Sequence, residues 1–198
     1  MAAGWNRNIH YHDVVLNAVP AGCRRALDVG CGRGRLAAAL ADRCGEVVAI
    51  DVDVTALAGA REAFATPTLR FVHGDVMTHA FAEGSFDFVA SIAALHHLPL
   101  EPALDRFKAL LRPGGTLAVV GLYRLRTLTD IAYAHIAIPV SAWHRATKIW
   151  EPVAAPIQDP KETLADVQAS VERGLPGAEF TRRLLFRYSL IWRKPGTL

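Results

Sequence analysis

Cysteine is scarce. The chain carries only Cys23, Cys31 and Cys44, which lie at neither a Cys-x-x-Cys nor a Cys/His ligand spacing. That argues against a disulfide framework and against a structural zinc, and it fits a reducing compartment. A long apolar run is missing too. The most membrane-like stretch, residues 131–140, is broken by His135 and Pro139 and falls short of the roughly 20 apolar residues that a span needs. The opening MAAGWNRNIHYHD has no apolar core, so no signal peptide is expected, and the protein is expected to be soluble and cytoplasmic. No basic block stands behind the net charge of +3. The late residues Arg182, Arg183, Arg187, Arg193 and Lys194 fall on strand-like segments, where alternation ordinarily leaves such groups as solvated faces. Nucleic acid is therefore the minor option as a partner. Internal repeats are absent, as is any low-complexity segment beyond alanine richness.

What the chain does have is apolar bulk. Hydrophobic residues make up 52% of its 198 positions, enough for one well-filled core, so residues 1–198 are read as one domain. It is organised around residues 26–37, ALDVGCGRGRLA, where a short apolar approach carries an acid at Asp28 and then breaks into Gly30, Gly32 and Gly34. Helix formers follow. This reads as strand, tight turn and helix. Alternate glycines let the backbone take dihedrals closed to other residues and let a ligand come close, with the first amides of the helix pointing at it. A dinucleotide fingerprint would place its third glycine at 35, which is Arg35, so the helix-packing seat of that motif is missing and a nicotinamide cofactor is disfavoured.

Along the chain, Asp13 is read as the N-cap of a short helix that ends by Pro20 and lies over the glycine turn. Strands are expected at 26–29, 46–50, 69–73, 86–92 and 116–121, helices at 33–42, 55–65 and 101–111, and a turn at 112–115. This alternation implies an α/β fold, a Rossmann-like, doubly wound and mostly parallel sheet with helices on both faces. After Tyr123 the rhythm stops, and about 125–160 reads as a mostly helical insertion containing Pro139, Pro152 and Pro156. A helix at 164–173 precedes strands at 180–186 and 188–192, whose short joint implies a C-terminal antiparallel hairpin.

Ligands of open α/β sheets bind beyond the carboxyl ends of the strands, near the point where strand order reverses. The unusual residues gather at those ends: the three glycines, Asp51, Asp75, Ser91 and His96. Asp51 lies about 20 residues beyond Gly30, the spacing at which a carboxylate accepts from both hydroxyls of a ribose. Helix capping competes as a role for Asp51, and for Asp53 and Thr55 beside it.

These residues resemble a family, the class I S-adenosylmethionine-dependent methyltransferases, and in particular its small-molecule branch. Five segments carry the resemblance in order: ALDVGCGRG, VVAIDVD, HGDVM, FDFVASIAALHHL and LLRPGGTLAVV, over about residues 26–121. It implies that S-adenosylmethionine, leaving as S-adenosylhomocysteine, is held by Asp28, Gly30, Cys31, Gly32, Asp51, Val52, Gly74, Asp75, Val76 and Ser91. Gly30 and Gly32 would line its methionyl part, with Ser91 near the methionyl amine. Asp51 would take the ribose hydroxyls and Val52 would flank the adenine. Asp75 would meet the adenine amino group and the main chain of Val76 its ring nitrogen. No metal is implied.

The acceptor is expected to be a small molecule, in a monomer or homodimer. A sulfonium is already an activated methyl donor, so positioning carries most of the catalysis, and a base helps only an acceptor that must lose a proton. His96 is the favoured catalytic base, with His97 beside it near the substrate. Tyr11 and His12 belong to an N-terminal lid at about 1–20, with His10 on the other side of Tyr11. Trp143 in the insertion is a further substrate contact, among Tyr133, His135, Ile136, His144 and Trp150, and the insertion is read as a substrate cap. The competing functions are a nucleic-acid methyltransferase, opposed by the lack of an Asn/Asp-Pro-Pro-aromatic motif after the fourth strand, and a non-catalytic scaffold that only binds the cofactor.

Overall fold

β1 (Arg25–Val29), β2 (Glu46–Asp51), β3 (Leu69–His73), β4 (Phe86–Ile92) and β5 (Leu111–Leu122) run parallel. β6 (Glu179–Arg183) and β7 (Arg187–Arg193) form an antiparallel hairpin, and β7 joins the sheet beside β5. The strand order is β3-β2-β1-β4-β5-β7-β6. The structure is a computed structural model and describes residues 5–149 and 159–196. It is the Rossmann-like, mostly parallel sheet with a closing hairpin that the alternation of segments implies.

Burial explains the placement. All seven residues of β4, FDFVASI, are buried, as a strand covered on both faces requires. Alternate side chains of β1 feed two cores. Ala26 packs with Trp5, Tyr11, α1 (His12–Leu16), α2 (Arg35–Ala41) and Leu57 of α3 (Val54–Ala63). Leu27 and Val29 pack with α4 (Leu100–Leu110) and α6 (Leu164–Gly174). In α4, Ala103, Leu104, Phe107 and Leu110 make one buried stripe at helical spacing.

Four elements differ from the sequence reading. α1 begins at His12, so Asp13 lies inside its first turn and is not its cap. A 3-10 turn, Ile9–Tyr11, precedes it, and Asn6 holds that turn by accepting from the amides of Asn8 and Ile9 at 2.9 Å each. β5 begins at Leu111, which draws the expected turn at 112–115 into the strand as a bulge. Pairing jumps from Phe86–Leu111 to Phe88–Thr116, Gly114 takes φ +76°, and Gly114 and Gly115 exchange hydrogen bonds with Lys194. In the hairpin, residues 184–186 are a turn, with Leu185 and Phe186 at positive φ. Within the expected insertion, α5 (Leu128–Thr147) is closed at its start by a capping box between Thr127 and Asp130 and contains Pro139. Trp150, Pro152 and Pro156 lie outside the described residues.

The N-terminal segment is fastened to distant parts of the chain. The Trp5 amide donates to the carbonyl of Ile149 at 2.7 Å, Arg7 donates to Ser141 Oγ at 3.1 Å, and the Tyr11 hydroxyl donates to the Leu184 carbonyl at 2.6 Å. Among the described residues no helix is long and apolar enough to cross a membrane, and no cluster of three metal-ligating side chains exists.

Candidate functional site

From β1 the sheet runs outward to β2 and β3 on one side and to β4 and β5 on the other, so strand order reverses between β1 and β4. At their carboxyl ends the glycine turn folds across the top of β2, with the amides of Gly30 and Cys31 donating to the Ile50 carbonyl at 2.9 and 3.2 Å. The three glycines have separate duties. Gly30 takes φ +71°, and a Cβ there would meet that of Ala94 at 2.2 Å, so the loop after β4 rests on the turn. Gly32 takes φ +50° with no heavy atom within 4 Å of an added Cβ, which leaves its backbone bare toward open space. At Gly34 a Cβ would meet the ring of Phe71 at 2.8 Å. The close-packing seat that Arg35 denies to position 35 is therefore present one residue earlier, at Gly34.

Two acids stand beside this turn. Asp51 accepts from the Gly32 amide at 2.7 Å on one carboxylate oxygen and from the Asp53 amide at 2.9 Å on the other. Each oxygen keeps a lone pair, and Val52 and Val54 stand next to it 67% and 59% exposed, an apolar ledge open to solvent. Asp53, not Asp51, caps α3, by accepting from Thr55 and Ala56. Asp28 is buried, and the amide of Ala37, three residues into α2, donates to it. Its Oδ2 has no hydrogen-bond partner. Burial, reinforced by the nearby charge of Asp51, pushes its pKa up to about 7. The Cys31 thiol is buried and pushed up as well, by burial first and by Asp28 and Asp51 next.

The loop after β3 is braced from both sides. The Gly74 amide donates to the Asp51 carbonyl at 3.0 Å, and Arg106 of α4 donates to the carbonyls of Val76 and His79 at 3.2 and 2.7 Å. Asp75 is exposed there and accepts from the Met77 amide. At the end of β4 the Ser91 hydroxyl is fully buried and donates to the Val29 carbonyl at 3.2 Å, so it clamps the two strands at the reversal point. Ala93 follows at φ +55°, a conformation that costs a non-glycine residue energy.

His96 lies in a 3-10 turn, Leu95–His97, and its ring is 4.0 Å from that of the exposed His97. Its Nδ1 is buried without a partner, and burial, with His97 and Arg187 nearby, pushes its pKa down to about 4. Tyr11 is buried and His12 half-buried. Trp143 is 69% exposed on α5 and is not gathered with them. His144 stacks on Trp5 at 4.6 Å, and Tyr133 lies under Arg182 at 3.8 Å. Two surface hollows of about 460 and 490 Å³ lie by residues 61–71 and 38–68, toward the amino end of β3, and take in none of these groups.

The family described as Methyltransferase domain matches residues 27–119. An uncharacterized methyltransferase of Mycobacterium tuberculosis strain H37Rv is 41% identical over 194 residues, which cover 96% of this chain and 98% of that protein. The chain belongs to the methyltransferases. A trans-aconitate 2-methyltransferase of Deinococcus radiodurans is 41% identical over 100 residues, 48% of this chain and 36% of that one. Among solved structures, the N-methyltransferase NodS from Bradyrhizobium japonicum in complex with S-adenosyl-L-homocysteine has the same fold, with a TM-score of 0.62 at 17% identity, over 94% of this chain and 87% of that one.

Two basic residues of the methyltransferase do not follow the expected solvated pattern. Arg182 donates to Asp130 at 2.7 Å and to the Tyr123 hydroxyl at 3.0 Å. Arg187 is only 7% exposed and donates to the Leu185 carbonyl and to Asn8. Nothing in the local sequence signals this burial, because the cover comes from a segment 179 residues away.

Proposed function

We propose that this methyltransferase uses S-adenosylmethionine to methylate a small organic acceptor at oxygen, nitrogen or carbon in the cytoplasm, as one domain whose N-terminal segment and α5 cover the acceptor. The observation that carries the cofactor reading is the Asp51 carboxylate, oriented by two main-chain amides and still able to accept from two vicinal hydroxyls beside the bare backbone of Gly32. The residues fit such a ligand in three further respects. Val52 and Val54 offer an apolar surface for a base, the braced loop at Gly74, Asp75 and Val76 presents polar groups to its edge, and the orphaned Oδ2 of Asp28 suits a nearby positive charge. Gly30 and Cys31 shape the turn, and Ser91 acts by holding β1 against β4. When bound, S-adenosylmethionine supplies a methyl group on a sulfonium, which needs no further activation. His96, uncharged at neutral pH, can accept a proton from an acceptor, with His97, Tyr11 and His12 as candidates to border it. The small-acceptor reading is supported by the partial match to a trans-aconitate 2-methyltransferase and by the engagement of Arg182 with Asp130, which removes it from any phosphate-binding stripe.

Calorimetry with S-adenosylhomocysteine and with NAD tests this, alongside a mass-spectrometric search for methylated product. Asp51→Ala is expected to weaken S-adenosylhomocysteine binding by about 1–3 kcal/mol, the cost of leaving buried hydroxyls without a charged acceptor. Tight NAD binding, or unchanged affinity in a folded Asp51→Ala variant, would overturn the cofactor reading.

A further inference from the structure

Arg187 is a buried cation that pairs with no anion among the described residues. Its guanidinium carries five N–H donors, of which one goes to the Leu185 carbonyl at 3.3 Å and one to Asn8 Oδ1 at 2.9 Å, while Nε is buried without a partner. No carboxylate pairs with it among the described residues. The charged groups that face it make matters worse, because Arg7 has the same sign and is itself turned toward Ser141. Burying an ion unpaired costs several kcal/mol, and arginine cannot escape by losing its proton near neutral pH. Desolvation by burial, followed by the charge of Arg7, brings its pKa down only to about 10, so the charge persists.

The location gives that cost a use. Arg187 opens β7 directly opposite Leu122, at the carboxyl end of β5, on the same edge of the sheet as the glycine turn and the end of β4. His96, four residues past β4, is within electrostatic reach of it and also keeps a buried, unpartnered ring nitrogen. Two hydrogen-bonding side chains on one edge of the sheet are thus left unsatisfied, one of them a full charge. We propose that Arg187 is the anchor of the acceptor site, and that the methyl acceptor carries a carboxylate which this guanidinium pairs with beside His96. The planar fork of a guanidinium matches a carboxylate in geometry, and one buried positive charge matches one negative charge better than the nearly double charge of a phosphate. The inference rests on the small-acceptor reading above and names its substrate class.

The test uses the full chain saturated with S-adenosylhomocysteine, titrated by calorimetry with succinate, glutarate, benzoate, glutaramide and inorganic phosphate. At least one carboxylate is expected to bind, the neutral diamide not to bind, and phosphate to bind about tenfold more weakly. Arg187→Gln should lower carboxylate affinity by about tenfold or more and Arg187→Lys by less, both with S-adenosylhomocysteine affinity within about twofold of wild type. Asn8→Ala keeps the charge and should leave carboxylate binding within about threefold, whereas a guanidinium that serves only to hold the N-terminal segment would make Asn8→Ala and Arg187→Gln alike. If Arg187→Gln does not fold, Arg187→Lys and the carboxylate-to-diamide contrast in the wild type decide. Absence of carboxylate binding, equal binding of glutarate and glutaramide, phosphate binding more tightly, or unchanged affinity in a folded Arg187→Gln variant overturns the proposal. A wild type that fails to bind S-adenosylhomocysteine overturns the cofactor reading, and this inference with it.

Discussion

Replacing Gly30 by alanine asks the turn after β1 to hold a methyl group where the Cβ of Ala94 stands 2.2 Å away, on a backbone at φ +71°. The left-handed conformation costs an L-residue roughly 1–2 kcal/mol, and forcing a methyl into a filled space adds about 1–3 kcal/mol. The sum, about 2–5 kcal/mol, corresponds to a fall in melting temperature of roughly 4–20 °C for a chain of this size. Gly32→Ala is the control, since it bears a similar dihedral strain but meets nothing within 4 Å. It should lose only about 1–2 kcal/mol of stability. Its methyl group would instead occupy the space that a ligand needs to approach the backbone, so S-adenosylhomocysteine affinity should fall about tenfold or more. The clash can be isolated further by Ala94→Gly, which leaves the Ala94 Cα at 3.7 Å, an ordinary contact, as the nearest atom to the new methyl. Melting curves of Gly30→Ala, Ala94→Gly and the double variant should therefore give a favourable coupling energy of about 1–3 kcal/mol. Zero coupling, or a Gly30→Ala protein as stable as the wild type, would refute the claim that the loop after β4 rests on the glycine turn.

Two titrations complete the expectations. The folded pKa of Asp28, raised to about 7, lies above its unfolded value, so this group contributes stability that is present below about pH 4 and is lost as pH rises through about 7. The melting temperature of the ligand-free protein should carry that slope, Asp28→Asn should flatten it, and an unchanged slope would count against it. For His96, a folded pKa lowered to about 4 means that stability is lost as pH falls below about 6.5 toward 4, and that the imidazole stays uncharged through the neutral range. His96→Ala should lower turnover by about 10²-fold or less, because a base this weak suits an acceptor that arrives largely deprotonated. His97→Ala should do less. A wild-type kcat profile with a limb near pH 6.5 that disappears in His96→Ala would contradict this.

Where local chemistry and tertiary pairing agreed, the sequence could be read to the residue. β3 and β4 have the bounds their apolar runs suggest, β4 because it is buried inside the sheet and gives way to Ala93 at positive φ, and β3, at the sheet edge, because its pairing with β2 stops at His73 where Gly74 turns the chain away. At 112–115 the two disagreed. Gly114 does adopt a turn-like φ of +76°, yet hydrogen bonds to Lys194 keep its backbone within the sheet, and a partner 80 residues away leaves no local trace. Asp13 illustrates the opposite failure, because a good capping residue was available but Asn6, with two amides to satisfy, starts the turn earlier. On the cofactor side, the positions of Asp51 and the glycines were legible because each answers a backbone need within about 20 residues. Arg187 was not, since a buried arginine in β7 looks the same in sequence as a solvated one until the N-terminal segment is laid over it.

That overlay governs when each half of the protein can form. The bonds from Tyr11 to Leu184 and from Arg187 to Asn8 close loops of 173 and 179 residues, so neither can exist until almost the whole chain has left the ribosome. β1 to β4, by contrast, pair through connections a few tens of residues long and can assemble while synthesis continues. The part of the sheet that carries the glycine turn and Asp51 is thus early-forming, and the cover over Arg187 is the final closure. By the same reasoning the hydrogen-bonded amides of that cover are expected to exchange faster than those of β1 and β4.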